Sequence, residues 1–397
     1  MRCQMEAQAP TGRRRVLRPR SCGRARDIRP PLAVAAVFDM IVTRRAHVRH
    51  YRGRVMQREW KAELIEAGGL LEDGAVTDYG DRRAEVLAAA HGTVWSALTH
   101  MAILRAAGPD AAAFLHGQFS NDILSLGATS QLAAYCTAQG RMITLFRVVP
   151  HQDAFLLLLP ATLQAAVQKR LTMYILRAQV KLTAAADWAL VGLSGPHAPQ
   201  ALAAAGLPAP TVPEAATSGD ITVVAIPGHA SRYLLLGPES ALRVLPPRLP
   251  EVTRVGARAW AWLDIQAGLP TIGPETSEAF VPQMTNLDLL GGINFRKGCY
   301  PGQEIVARTH YLGRLKQRMY RASLPAGTPM PPPGATLQAS NLPGQPAGTV
   351  VDAQIGPDGA IDLLAVVQIS SHDAGAVLWQ DRPLTFRDLP YPLAASC

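Results

Sequence analysis

Phe295-Arg296-Lys297-Gly298-Cys299-Tyr300-Pro301-Gly302-Gln303-Glu304-Ile305-Val306-Ala307-Arg308 sets one cysteine, two glycines, a lysine and a Gln–Glu pair within the eight positions from Lys297 to Glu304. A turn that merely reverses the chain needs the glycines but not a thiol with a cation beside it. Gly302 to Tyr311 reads as a helix starting just after Pro301, since a first helical turn tolerates proline without losing a hydrogen bond. Cys299 would then lie beside unpaired N–H groups carrying partial positive charge, with the Lys297 ammonium nearby. Both favour the thiolate, the form that attacks electrophiles and binds metals. Glu304 opposes them, or serves the orphan N–H groups of the first turn. The same residues also suit a small core cysteine flanked by turn glycines, and physics alone weighs the two readings evenly.

Downstream the charge is one-sided. Residues 296–321 hold Arg296, Lys297, Arg308, Arg314, Lys316, Arg318 and Arg321 against Glu304 alone. If Arg314 to Arg321 is a strand, Arg314, Lys316 and Arg318 share one face by the two-residue period. Such a face suits a polyanion, either the glutamate tail of a folate or the phosphates of RNA. Phe295, Tyr300, Tyr311 and Tyr320 could stack on a pterin or a base. The alternative is a solvated strand face with its aromatics in the core.

Elsewhere the periodicities alternate between helix and strand. Helices are expected over Gln57 to Ala67 (closed by Gly68-Gly69), Asp81 to His91 with Asp81 as N-cap, Pro109 to Gln118, Pro160 to Arg177 and Arg258 to Ala267. Within Pro160 to Arg177 the residues Leu163, Val167, Leu171 and Tyr174 fall on one face. Gly140-Arg141 reads as a hairpin turn between Tyr135 and Val149. Further strands are expected at Phe155 to Leu159, Ile221 to Ile226 and Tyr233 to Leu236, with a strand–helix unit in Ala189 to Ala205. The lack of a regular βαβ repeat argues for an α+β fold. After the Pro331-Pro332-Pro333 run, short strands at Thr349 to Ala353, Ile361 to Ile369 and Ala376 to Trp379 point to a small β-barrel or sandwich.

The chain has 397 residues, 48% of them hydrophobic and 17% charged, which suits a globular body of two or three domains. Its net charge of +9 is not spread evenly. Residues 1–58 carry 15 Arg against Glu6, Asp27 and Asp39, so this leader holds +12 and the remainder −3. The leader lacks the apolar run of an export signal and the clear amphipathic period of a transit peptide. The expectation is that order begins near Met56 and that the leader is disordered or not made natively. Cys3, Cys22, Cys136, Cys299 and Cys397 form no C-x-x-C pair and no His–Cys ligand spacing, which argues against a disulfide framework and a resident metal. No apolar run reaches membrane-span length, so a reducing cytoplasm is the simplest location.

Taken together, Ala261-Trp262-Leu263-Asp264-Ile265-Gln266-Ala267-Gly268-Leu269-Pro270, Phe280-Val281-Pro282-Gln283-Met284, Asn286-Leu287-Asp288 and Lys297 to Glu304 closely resemble the YgfZ family. These are folate-binding relatives of the glycine-cleavage aminomethyltransferase, with Lys-Gly-Cys-Tyr-x-Gly-Gln-Glu as their hallmark. Phe114-Leu115-His116-Gly117-Gln118 with Asn121-Asp122, and Gly192-Leu193-Ser194-Gly195-Pro196, fit the same pattern. The likeness runs from about Gln57 to the C-terminus.

The resemblance implies a three-domain ring around a tetrahydrofolate cavity, with a C-terminal small β-barrel. The boundaries expected are a leader at 1–55, a folate-binding α+β core of two intertwined subdomains at 56–318, and the barrel at 319–397. It further implies an accessory role in assembling or repairing [4Fe–4S] clusters in target enzymes, radical enzymes that thiolate tRNA among them. Cys299 takes the position of the family's critical cysteine, as catalytic residue and transient ligand to a shared cluster, since one thiol cannot supply four ligands. Lys297, Gly298, Tyr300, Gly302, Gln303 and Glu304 take the flanking motif positions, and together with Arg308, Arg314, Lys316 and Arg318 form the candidate cofactor-binding set. The implied partners are iron–sulfur client enzymes and cluster carrier proteins, with tRNA contact, and no membrane.

One departure separates the chain from the aminomethyltransferase branch. That branch carries an acidic pair in the hairpin that here reads Gly140-Arg141-Met142-Ile143-Thr144-Leu145, without a carboxylate. Its Gly-Glu pterin-recognition loop is also missing from Ile226-Pro227-Gly228-His229-Ala230. Two rival readings remain at this stage: a folate-dependent one-carbon transferase using Asp122 or Glu304 instead, and an RNA-binding module built on the cationic face.

Overall fold

Alternate residues of the strand Ala154–Pro160 enter different cores. Leu157 and Leu159 pack with Phe114 and Leu115 of the helix Ala111–Gln118 and with Val167 and Leu171 of the helix Gln164–Met173. Leu156 and Leu158 turn the other way, onto Leu190, Val224, Ile226 and Leu234. The strand Ile221–Ile226 repeats this: Val223 and Ala225 pack with Trp60, Leu64, Ala201 and Leu202, while Val224 and Ile226 meet the facing sheet. Two sheets thus lie face to face with helices on their outer surfaces, and burial on both faces makes these strands unbroken apolar runs.

The structure, a computed structural model, describes residues 60–393 with Leu312 and Arg314 excepted. The basic leader and Cys3, Cys22 and Cys397 lie outside the described residues. The first sheet has five antiparallel strands in the order Gln131–Cys136, Met142–His151, Ala154–Pro160, Met101–Ala107 and Lys181–Ala184. The second runs Ala215–Ser218, Ile221–Ile226, Arg232–Pro238, Trp188–Ser194, Thr93–Ala97 and Val252–Arg254, and only its last pair is parallel.

The third sheet has seven antiparallel strands, and its edges are Arg382–Pro383 and Thr385–Arg387. Only Leu384 separates those edges along the chain, so the sheet curls until it nearly closes. Leu337, Val350, Leu363, Val367 and Val377 fill the interior, as expected of a small barrel. The helix Ala257–Gln266 joins this barrel to the paired sheets. Trp262 Nε1 and Gln266 Nε2 donate to Asp362 Oδ2 at 2.7 and 2.9 Å, while Trp260 lies flat on Gly192, where a β-carbon would fall 2.3 Å from the ring. That contact requires glycine.

The α+β reading holds, as do the hairpin and the helices after Asp81 and Pro301. Asp81 accepts from Ala84 N–H, the N-cap expected of it. Two expectations need correction. The helix expected over Pro160 to Arg177 is a short 3-10 turn followed by Gln164–Met173, and Tyr174 and Leu176 are 49% and 86% exposed. The chain leaves the helix there to reach the edge strand Lys181–Ala184. The strand expected over Arg314 to Arg321 is Gln317–Leu324, paired from Gln317–Gln368 onward, so Lys316 precedes it. Among the described residues no helix is long and apolar enough to cross a membrane.

Candidate functional site

The cysteine loop and the segment 116–122 are fastened together by side chains from both. Lys297 Nζ donates to the carbonyls of His116 and Phe119, the second at 2.9 Å. Ser120 Oγ donates to Gly292 O at 2.6 Å, Asn121 Nδ2 donates to Gly291 O at 2.7 Å, and Asn294 N donates to Ser120 O at 2.9 Å. Lys297 is only 9% exposed, and its ammonium sits where the helix Ala111–Gln118 leaves carbonyls unpaired, the end at which a cation is favourable. Burial pushes that ammonium down to about 8, against the opposing pull of Asp122 and Cys299.

Cys299 itself is exposed, whereas Cys136 is buried, and burial pushes the Cys136 thiol up to about 12. Tyr300 is buried with its ring 4.7 Å from Lys297 Nζ, and Gln303 Nε2 donates to Lys297 O at 3.4 Å. Gly302 has φ +81°, and a β-carbon there would lie 2.4 Å from Thr137 O and 2.6 Å from Gly140 Cα. The hairpin turn therefore packs backbone to backbone against the start of the helix Gln303–Tyr311, fixing where the thiol loop ends.

Beside the loop stands a histidine. A β-carbon on Gly298 would lie 3.8 Å from His116 Nε2, so the ring faces the residue preceding Cys299. Its other nitrogen, Nδ1, is 3.0 Å from Asp122 Oδ1; the contact is electrostatic, because the ring N–H is not aligned on that oxygen. Burial works against the ionised form of Asp122, but hydrogen bonds from Ser125 and Leu124 and the neighbouring His116 outweigh it and hold the carboxyl below its ordinary range. Sequence reading quoted His116 and Asp122 without linking them to Cys299. The chain places them 177 or more positions apart, and no local pattern records the pairing.

The remaining candidates divide. Glu304, Arg308 and Lys316 are exposed, and Arg314 lies outside the described residues. Arg318 does not offer a free cation to a ligand: Nη1 and Nη2 bind Asp288 at 2.8 and 2.9 Å, and Nη1 also reaches Gln283 O and Asn286 Oδ1. The expected cationic strand face therefore does not form around Arg318. Tyr300 and Tyr320 are 7% exposed, which corrects their assignment as stacking platforms, whereas Tyr311 is 64% exposed beside Phe295 and His310, whose rings stack at 3.8 Å.

A second polar cluster lines a cavity between the two sheets, walled by Leu132, Leu145, Leu158, Leu190, Ile226, Leu234, Trp260 and Ile272. His100, Arg147 and Asp264 line it as well, and Arg147 Nη1 donates to Ser130 Oγ at 3.2 Å. His100 is partly buried and its Nδ1 has no hydrogen-bond partner among the described residues; burial lowers the ring to about 4. Burial likewise lowers Arg147 to about 10, against Asp264. Both keep some accessible surface because they face the cavity. Asp264 binds Arg232 at 2.8 Å, and Arg232 lies 4.5 Å over the Trp260 ring. Of these, sequence reading quoted Asp264 alone. Among the described residues no group of three or more His, Cys, Asp or Glu could hold a metal ion.

No protein-family model matches the chain. A tRNA-modifying protein YgfZ from Edwardsiella ictaluri is 31% identical over 300 residues, covering 72% of this chain and 89% of that protein. Its counterpart from Cronobacter sakazakii is 31% identical over 306 residues, covering 75% of this chain and 92% of its own length. The glycine cleavage system aminomethyltransferase T from Bartonella henselae superposes with a TM-score of 0.71 at 19% identity, over 83% of this chain and 96% of that one. That likeness establishes the aminomethyltransferase-like fold, with its C-terminal, nearly closed β-barrel. The relatives' identity over most of their length establishes more: the chain belongs to the YgfZ family.

Proposed function

We propose that this protein binds tetrahydrofolate and assists the assembly or repair of [4Fe–4S] clusters in client enzymes, including those that thiolate tRNA. The observation that carries the reading is the exposed Cys299 on a loop locked by Lys297, Ser120 and Asn121. Such a thiol is accessible to a partner yet fixed in place. One thiol cannot complete a cluster, so the client or a carrier protein would provide the other ligands.

The cavity between the sheets suits a flat, polar heterocycle. His100 Nδ1 lacks a partner, Arg147 is desolvated, and Asp264 lies beside Trp260. Asp264, Arg147 and His100 would hold the pteridine edge, and Trp260 would offer it an aromatic wall. Bound folate would supply one-carbon carriage there. Aminomethyl transfer is the weaker reading, because Met142, Ile143, Thr144 and Leu145 are buried and none of them can exchange a proton with the folate.

The test is complementation of a strain defective in iron–sulfur-dependent tRNA thiolation. Cys299→Ala should fail to restore thiolation, and full restoration by that variant would refute the role of the thiol. Titrating the full chain with tetrahydrofolate, followed by tryptophan fluorescence, tests the cavity separately. Asp264→Asn should weaken binding at least about tenfold if the carboxylate pairs with the ligand.

A further inference from the structure

We propose that the exposed rings at the end of the helix Gln303–Tyr311 are a stacking platform for unpaired bases, and that the cations beside them hold the phosphates of the same strand. The partner is a single-stranded stretch of nucleic acid. This goes beyond the proposed function, and neither folate nor a cluster enters its test.

Three rings form the platform. Phe295 packs against the core cluster that holds Ile293, Val306 and Met319. The His310 ring lies flat on it, with centroids 3.8 Å apart and planes inclined by 13°. Tyr311 stands edge-on to both, 4.7 Å from His310 and 6.2 Å from Phe295. His310 and Tyr311 are exposed, so aromatic surface is left to solvent. Packing already holds these rings, so a base that stacks on them costs little side-chain entropy, and every base offers a flat face.

Arg308 stands three residues before Tyr311, on the same side of the helix, and Arg296 follows Phe295 directly. Among the described residues neither guanidinium has a hydrogen-bond or ion-pair partner, and Glu304 is the only acid between residues 295 and 317. Other arginines of the region are engaged: Arg318 by Asp288, Arg321 by Gln266 and Arg141 by the Ala279 carbonyl. A second ring triplet, on the barrel, shows the contrast. Tyr320, His372 and Phe386 pack in nearly the same way, with the first two rings stacked at 3.8 Å. There the tyrosine is buried and Asp373 stands 2.9 Å from His372, which disfavours phosphate. An acidic peptide would use the free cations beside Phe295 and Tyr311 but leave the exposed rings without a role.

The test uses the full chain and a hairpin oligonucleotide with an unpaired loop, offered as RNA and as DNA to distinguish the two sources. The leader, at +12, would hold any phosphate chain by charge, so contacts are mapped by ultraviolet crosslinking from bromouracil in the loop and mass analysis of the peptides. Crosslinks should fall on Phe295, His310 or Tyr311. Tyr311→Ala should weaken binding of the loop, in RNA or DNA, about fivefold or more. It should leave a blunt duplex, whose bases are stacked inside, unchanged. Arg296→Gln with Arg308→Gln should weaken the loop and flatten its salt dependence by about 0.7 in logarithmic slope per cation removed. Crosslinks confined to the leader overturn the proposal, as does a Tyr311→Ala protein that binds the loop unchanged or loses loop and duplex equally. A polyglutamate peptide supplies charge without bases and should bind Tyr311→Ala as well as wild type. If it loses affinity there as the loop does, the patch serves acidic protein segments and the base-stacking assignment fails.

Discussion

Arg318 and Asp288 meet in a two-pronged ion pair, Nη1 to Oδ1 at 2.8 Å and Nη2 to Oδ2 at 2.9 Å, with each side chain 14% exposed. A guanidinium fork matched to a carboxylate in this way is a structural clamp between the barrel strand Gln317–Leu324 and the segment that follows Pro282.

Arg318→Met should therefore cost stability, about 2–3 kcal/mol, because it leaves the largely buried Asp288 carboxylate without its partner. Lys316→Gln, on an exposed side chain two residues earlier, should change stability by no more than about 0.5 kcal/mol. Urea unfolding of the two variants checks this. Equal midpoints would mean that Arg318 is not a clamp.

The two described cysteines should part company in labelling. Native protein treated with iodoacetamide should be modified at Cys299 and spared at Cys136, which is 1% exposed with its thiol pushed up to about 12 by burial. Cys136 should react only once denaturant opens the sheet. Peptide mapping by mass reads both sites, and native-state labelling of Cys136 would show that the strand Gln131–Cys136 opens readily.

Much of the fold is legible in local pattern because its elements are bounded by local chemistry. Asp81 announces its helix by capping it, and Gly140, with φ +72°, marks the hairpin. The quoted motifs proved legible as a set but not in their purposes. Gln283 Nε2 donates to Val306 O at 2.6 Å, Asn286 Nδ2 donates to Met319 O at 2.8 Å, and Asp288 holds Arg318. Each of these polar residues fastens a segment distant in sequence, which no periodicity can reveal. The cationic face failed for the same reason: counting Arg314, Lys316 and Arg318 by the strand period assumes that the strand has begun and ignores the acid waiting for one of them. The approach of His116 to Gly298 and the His100–Arg147–Asp264 cavity are products of topology: the first forms when the cysteine loop docks on the segment 116–122, the second when the two sheets close on each other.

Lys297→Met should expose how far the cysteine loop depends on its anchor. The carbonyls of His116 and Phe119 lose their donor inside the protein, a cost of about 1–3 kcal/mol. The pH dependence has a definite sign. With its ammonium lowered from 10.5 to about 8 by burial, Lys297 binds fewer protons in the native state than in the unfolded chain between those values. Wild type should therefore gain stability relative to Lys297→Met as pH rises from 8 toward 10.5. Chemical unfolding of both proteins at pH 7.5 and 9.5 measures it, and a constant difference would mean that the ammonium titrates normally.

Asp352 should act in the opposite sense. Burial raises its carboxyl from 3.8 to about 7, and the neighbouring Asp264 adds to the effect, while hydrogen bonds from Ala353 N–H and Gln354 Nε2 only partly offset them. The residue sits at the irregular register between Val350 and Asp352, where the strand bends and leaves part of the side chain accessible. A carboxyl raised in the native state binds protons there that the unfolded chain has already released. Its contribution is thus complete below about pH 4 and is lost as pH rises through about 7. Asp352→Asn keeps an oxygen for Ala353 and removes the titration. The variant should be more stable than wild type at pH 8, by about 1–2 kcal/mol after discounting for the accessible part of the side chain, and no more stable at pH 4.5. Thermal unfolding of the pair across that range decides the matter, because a difference independent of pH would leave only a packing effect at the bulge.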